Sequence, residues 1–358
     1  PGAAGWSDSL AKMYFDYHLR NIPNGWNSTP YVQYFQMGDD VWLNSPAWPP
    51  TGLQTITLFL HPGNFLDSQS PTNATGNSSY AYNPADPSPT VGGPTLLSTL
   101  PEGPFDQSPV VETRNDVLVF STATLGQDVI FKGDATATLY VSSDQPDTDF
   151  AIRLTDVYPD GRSMLVTDGI TRMRFRNGFT TSDTASMIAG TVYAVDITLP
   201  STAITFKTGH RIRIDITSSN YPRFDNNLNN GGAMYVAGDT NIANNTVYFN
   251  SQYPSHIDLN LVDFVGSTQP QSAPGGTQIF ADLFPNPSTG GSTLHFNVAQ
   301  QGIYAVEVID LAGRVVWTKS ENCSGEQNWN LPATLSAGTY IVKLSGAGGV
   351  NTQRFSKL

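Results

Sequence analysis

Cysteine is almost absent from this chain of 358 residues: Cys323 stands alone, so no intrachain disulfide can form and no cysteine-based zinc site can be assembled. Charge is scarce as well, at 13% of residues, and it leans acidic, with 30 Asp and Glu against 18 Lys and Arg and a formal net charge of -12. Nucleic acid and anionic membrane are argued against as partners, because either requires a basic patch that displaces counterions. No apolar run approaches the roughly 18 residues of a membrane span, so none is expected. The chain opens on Pro1 without the charged and apolar regions of a secretory leader, and its start reads as a processed or truncated end. Missing too is any G-x-S-x-G pentapeptide, the strained elbow that lifts a nucleophilic serine into the open on α/β-hydrolase folds.

What is abundant is punctuation. Gly 32 and Pro 25 interrupt the chain at short intervals, the mark of a turn-rich, mostly β protein, and the length suits two or three domains. The one convincing helix lies in "SDSLAKMYFDYHLRNIPNGW", where Leu10, Met13, Tyr14 and Tyr17 share a face, Ser7 or Asp8 caps the start, and Pro23 and Gly25 stop it. Strands follow by period-two alternation: Ile56, Leu58 and Leu60; Ala135, Ala137, Leu139 and Val141; Phe150, Ile152 and Leu154; Tyr193 to Leu199; Ile212, Ile214 and Ile216; Ile257, Leu259 and Leu261. Such alternation predicts one buried face per strand and an all-β antiparallel sandwich, a jelly roll first among the versions. Residues 264–277, "FVGSTQPQSAPGGT", carry no periodicity and read as a linker. Beyond it Leu294, Phe296 and Val298, then Tyr304, Val306 and Val308, then Tyr340, Val342 and Leu344 alternate, with "LAGR" and "LSAGT" as turns, predicting a second, smaller sandwich.

Residues that could carry chemistry are few. With no elbow serine to activate, His18, His61, His210, His256 and His295 are expected to be structural. In "DTDFAIRLTDVYPDG", residues 147–161, four aspartates fall in fifteen positions. A calcium site is one reading of them. The favoured one is that Asp147 and Asp149 start a strand while "YPDG" is a turn. Asp225, Asn227 and Asn229 in "RFDNNLNNGG" have the spacing of a calcium loop, but Asn230 and Val236 stand where glycine and glutamate are wanted, so a connecting loop is expected and no metal assigned. Arg172, Arg174 and Arg176, like Arg211 and Arg213, are expected on solvated strand faces. Trp42, Trp48 and Tyr221 are candidate stacking platforms for a bound ligand, against the commoner fate of such aromatics in packing.

The string "YFDYHL", "YVQYFQMG", "WPP", "GPFDQSPV", "DTDFAIRLTDVYPDG", "TDGITRMRFR", "GHRIRIDITSSNYPRFDNN" and "YPSH", in that order, resembles the C-terminal part of the cocaine esterase, α-amino-acid ester hydrolase and X-Pro dipeptidyl-peptidase family, the CocE/NonD hydrolases. The resemblance implies a jelly roll with galactose-binding-like topology packed as a non-catalytic partner on an α/β-hydrolase domain that carries a Ser, Asp and His triad. In the family the triad histidine lies just before the helix that resembles residues 7–20. The chain is therefore expected to begin downstream of the triad, and no catalytic residue and no cofactor is assigned to it. The tail, with "LFPNPSTG", "VEVIDLAGRVV", "LSAGTYIVKL" and "QRFSKL", resembles the C-terminal sorting domain of type IX secretion in Bacteroidetes, an Ig-like sandwich read by an outer-membrane translocon. The expected division is a hydrolase-domain remnant at 1–40, the jelly roll at 41–263, a linker at 264–278 and the sorting domain at 279–358. The partners implied are the missing hydrolase domain and the translocon, and the location is secreted or cell-surface. A free-standing secreted carbohydrate- or ligand-binding module is the alternative.

Overall fold

Alternation becomes strand after strand in the computed structural model, which describes residues 6–95, 99–262, 280–284, 288, 290–310, 314–346 and 349–357. The chain divides into two units, Pro1–Ser267 and Thr268–Leu358. The expected linker over 264–277 and most of the "LAGR" turn lie outside the described residues.

The first unit opens with α1 (Trp6–Arg20), which begins with Asp8 in its first turn and ends with His18 and Arg20 in its last, as the helix dipole favours. Asn21 then takes a left-handed φ of 52° and the chain turns away. Strands β1 (Val32–Gln36) and β2 (Val41–Ser45) form a two-stranded ribbon. There follow β3 (Leu53–His61), β4 (Phe65–Asp67), β5 (Asn77–Tyr82), β6 (Leu118–Ser121), β7 (Val129–Ser143), β8 (Asp149–Val157), β9 (Ser163–Arg172), β10 (Tyr193–Phe206), β11 (Arg211–Thr217), β12 (Ala243–Tyr248) and β13 (His256–Val262).

These eleven strands, β3 to β13, form one hydrogen-bonded network in the order β5-β12-β7-β13-β3-β4-β6-β11-β8-β9, with β10 on β7. Every pairing is antiparallel except that of β4 with β6 at Phe65 and Ser121. The long β7 organises it: one edge takes β10 from Val129 to Val141, and the other takes β13 at Ile130–Thr138 and β12 at Tyr140–Ser143. The network closes as a β-sandwich, because Phe131, Leu139, Ile197 and Leu259 from one side share a core with Phe150, Ile152, Ile212 and Ile214 from the other. Burial of each such side chain contributes about 1.5–3 kcal/mol.

The predicted faces hold for β7, β11 and β13, where Ala135, Ala137, Leu139, Val141, Ile212, Ile214, Ile216, Ile257, Leu259 and Leu261 are all buried. Strand β8 departs from the expected single buried face, since all nine of its residues are buried. Its outer, polar face lies under loops from distant sequence, and Arg153 meets Pro89 and Asn220 there. The ribbon joins the sandwich where Met37 accepts from Thr205 N at 2.8 Å and donates to Ala203 O at 3.1 Å. Glycine is required at the next position: Gly38 has φ +79° and a Cβ there would run into the Thr205 carbonyl oxygen.

The second unit holds β14 (Phe280–Phe284), β15 (Ser292–Asp310), β16 (Val315–Leu331), β17 (Gly338–Gly346) and β18 (Gly349–Lys357) in a five-stranded antiparallel sheet. The order is β14-β15-β17-β18, with β16 also on β15. Its core gathers the predicted set, Leu294, Phe296, Val298, Tyr304, Val306, Val308, Tyr340, Val342 and Leu344, around Trp329 and Phe355. Cys323 is a free buried thiol in the same core, its pKa pushed up by burial. No helix among the described residues is long and apolar enough to cross a membrane.

Candidate functional site

Strand pairing sets the first cluster. Asp149 opens β8 directly opposite Arg172, the last residue of β9. The guanidinium grips the carboxylate with two bonds, Nε to Oδ1 at 2.8 Å and Nη2 to Oδ2 at 2.9 Å. Past Arg172 the chain enters a short 3₁₀ turn, Met173–Phe175, which brings Arg174 onto Asp147: Nε donates to Oδ2 at 2.7 Å and the backbone N–H to Oδ1 at 2.9 Å. The amide of Asn227 donates to both carboxylates, at 2.9 Å to Asp147 and 2.7 Å to Asp149. The same arginines reach the loop backbone, Arg172 to Asp225 O at 3.0 Å and Arg174 to Gly232 O at 2.8 Å.

The aspartates at the strand start therefore clamp the asparagine-rich loop to the sandwich. Arg172 and Arg174 do not share a solvated strand face as expected; the 3₁₀ turn breaks the alternation and both are largely covered. Arg176 likewise turns inward, donating to the carbonyls of Met173 and Ala185. At the other end of β8 the turn holds as read: Gly161 N donates to Tyr158 O at 2.9 Å, and Gly161 takes φ +96°.

Of the calcium-loop candidates, Asn227 points its amide nitrogen at carboxylates and its Oδ1 accepts from Asn229 N at 2.9 Å, while Asn229 donates to Asn241 O at 2.7 Å. Only Asp225 faces outward. A cation would have to displace the two guanidiniums from Asp147 and Asp149. Among the described residues no three His, Cys, Asp or Glu converge as metal ligands.

A second cluster lies in the interior. Arg153 on β8 and Asp215 on β11 stand directly opposite each other and both are fully buried. Arg153 donates to Pro89 O at 2.9 Å and Asn220 Oδ1 at 3.2 Å, and Asn220 donates to Asp168 Oδ2 at 2.6 Å. Asp168 also pairs with Arg223, and Arg213 pairs with Glu112. Burial pushes the Asp215 carboxyl up to about 8, with Glu112 adding to it and Arg153 and Arg213 opposing. Arg213, expected on a solvated face, is half-buried, and loop coverage buries Asp215 beside it.

Four of the five histidines pair with acceptors, while His18 on α1 packs against the rings of Tyr14 and Tyr17. His210 Nδ1 lies 2.9 and 3.0 Å from the two oxygens of Asp156, His61 Nε2 2.9 Å from Asp67, His256 Nδ1 2.8 Å from Pro254 O and His295 Nε2 2.7 Å from Glu326. Among the described residues none bonds a serine or threonine hydroxyl, so no nucleophile and base stand together.

The three aromatic candidates are not brought together. Trp42 on β2 lies edge-on to Phe35 at 5.7 Å and is 52% exposed. Trp48 packs on Tyr34 at 4.9 Å and donates Nε1 to Ser201 Oγ at 2.7 Å. Tyr221 instead lines a cleft of about 860 Å³ with Arg172, Phe175, Phe179, Asp225 and Tyr235, beside a smaller one of about 410 Å³ on the asparagine loop. Neither cleft is lined by a tryptophan. Phe179 and Tyr235 carried no signal in the sequence, because both sit in stretches without periodicity.

Comparison with known proteins adds the family. Residues 24–258 match the X-Pro dipeptidyl-peptidase C-terminal non-catalytic domain, and residues 282–357 match a secretion system C-terminal sorting domain. Cocaine esterase from Rhodococcus sp. (strain MB1 Bresler) is 36% identical over 264 residues, 71% of this chain and 46% of that protein. An aminopeptidase from the marine sediment archaeon Thaumarchaeota archaeon superposes with a TM-score of 0.64 at 25% identity, over 72% of this chain and 44% of its own. An α-amino acid ester hydrolase does so with a TM-score of 0.62 at 26% identity, over 72% and 45%. The chain thus spans less than half the length of these relatives. Matched over more than half of its residues, it belongs to the X-Pro dipeptidyl-peptidase C-terminal non-catalytic domain family of CocE/NonD-type hydrolases, and its tail is a type IX secretion sorting domain that directs it to the cell surface or beyond.

Proposed function

We propose that this chain is the C-terminal, non-catalytic portion of a secreted serine hydrolase acting on esters or on amide bonds near an amino terminus. Its first unit is a jelly roll, its tail an Ig-like export address handled by the type IX translocon, and the Ser, Asp and His triad resides in an α/β-hydrolase domain preceding residue 1. In that domain the serine attacks the carbonyl, the histidine carries the proton, the aspartate orients it and an oxyanion hole holds the tetrahedral intermediate.

The observation that carries the reading is the inverted face of α1. Phe15 is 54% and Leu19 73% exposed, and Tyr14 is 43% exposed with its ring edge-on to Trp26, whereas the carboxylate of Asp16 is enclosed by Lys12 and Arg20. A helix that turns its large apolar side chains outward needs an apolar partner. The relatives are each more than twice as long as the matched part, which leaves room for such a partner domain. Residues 1–40 are then the end of that hydrolase domain, and 41–263 the jelly roll.

The test is the intact mass of the native secreted product, captured with an antibody to the first unit and treated with a fluorophosphonate probe. The expected species exceeds 38.6 kDa by a hydrolase domain and takes up one probe. An unlabelled species of 38.6 kDa overturns the reading in favour of a free-standing module.

A further inference from the structure

The cleft beside the clamped loop has a composition that the hydrolase reading leaves unused. Its walls are aromatic: Phe179 is 90% exposed, Tyr235 79% and Tyr221 45%. Tyr235 takes a φ of 60°, a left-handed conformation that bulky L-residues avoid, so the fold spends conformational energy to present this ring. The loop that presents it is fixed at both ends. Asn230 Nδ2 donates to Asp239 O at 2.6 Å, Asn229 Nδ2 to Asn241 O at 2.7 Å, and Arg174 Nη1 holds Gly232 O at 2.8 Å. A volume of about 860 Å³ is within the range of small-molecule sites.

Charge decides what the cleft can hold. Arg172, Arg174 and Arg223 are each matched by a carboxylate, Asp149, Asp147 and Asp168, so an anionic ligand finds no free countercharge. A purely apolar ligand fails differently, because it would strand polar groups. Among the described residues Arg172, on the cleft lining, leaves its Nη1 without a hydrogen bond. The carboxylate of Asp225, whose residue is exposed, adds an acceptor on the same lining. What satisfies both walls and floor is a neutral ligand with an apolar face for stacking and hydroxyls that donate and accept at its edge.

We propose that this cleft is a saccharide-binding site, with Tyr221 and Tyr235 as stacking platforms and Arg172 and Asp225 as hydroxyl partners. The two tryptophans singled out in the sequence take no part. The site does not depend on a preceding hydrolase domain, and its test leaves that reading untouched.

The experiment is a neutral-glycan array probed with the whole chain, followed by titration calorimetry with the free form of each retained oligosaccharide. At least one glycan is expected to be retained. Tyr235→Ala, on an exposed ring whose loss leaves the fold intact, should weaken it by roughly tenfold, the scale of one aromatic contact. Tyr235→Trp should restore binding, and Trp42→Ala should leave it unchanged. A blank array overturns the proposal, as does a glycan whose affinity drops with Trp42→Ala and not with Tyr235→Ala. Capture of a protein partner through Tyr235 without any glycan bound overturns it equally.

Discussion

Asp215 is a carboxyl placed where a carboxylate is costly. It faces Arg153 across two paired strands, both oxygens lack a hydrogen-bond partner in the structure, and burial raises its pKa from near 3.8 to about 8. The folded chain therefore keeps a proton that the unfolded chain gives up above about pH 4. Between about pH 4 and 8 the native state binds more protons than the unfolded one, so stability falls with rising pH across that window and levels off above it. Asp215→Asn mimics the protonated acid. It should match the parent in urea midpoint near pH 4 and exceed it at pH 9, removing part of the slope between. Parallel curves for parent and variant would show that Asp215 titrates normally. None of this was legible in "RIRIDIT", where Asp215 alternates with isoleucines as any surface residue does. Its burial is decided by loops from elsewhere in the chain that cover the outer face of β8 and β11.

Elements whose stability comes from a single buried face were read well from the sequence, and those shaped by remote cover were not. The sets on β7, β13, β15 and β17 alternate because one side of each meets the core, and the alternation survives in the structure residue for residue. Strand β8 has the same alternation but two buried faces, and its polar row is satisfied by partners some 60 positions away, such as Pro89 and Asn220 for Arg153. The spacing of Arg172, Arg174 and Arg176 implied one face only as long as the strand continued, and the 3₁₀ turn after Arg172 ends it. For α1 the sequence sets Leu10, Met13, Tyr14 and Tyr17 on one face, and the structure exposes Phe15 and Leu19, outside that set, more than any of the four. Replacing both, Phe15→Ser with Leu19→Ser, should leave the urea midpoint of the first unit within the roughly 0.5 kcal/mol typical of surface changes. The same variant should sediment with less self-association than the parent. A loss of several kcal/mol would mean that these side chains are packed within the chain, and would remove the main support for a missing hydrolase partner.

At the scale of the whole molecule the question is whether the export address and its cargo are independent. Their cores share no residue: Phe131, Phe150 and Ile214 belong to one cluster, Phe296, Trp329 and Phe355 to the other. Between them lies the stretch "FVGSTQPQSAPGGT", whose composition offers little to bury. Cores with no residue in common predict separate unfolding transitions, with changes in one core additive to changes in the other. An address read by a translocon gains from that independence, because it keeps the same shape whatever precedes it. Ending the chain after Ser267 should therefore preserve the cooperative unfolding of the first unit, with its midpoint unchanged, while abolishing export from a host that has type IX secretion. Scanning calorimetry of the whole chain should resolve a second transition that this truncation removes. If the shortened chain instead loses its cooperative transition, the tail is a structural part of the first unit, and its role in export cannot be separated from folding.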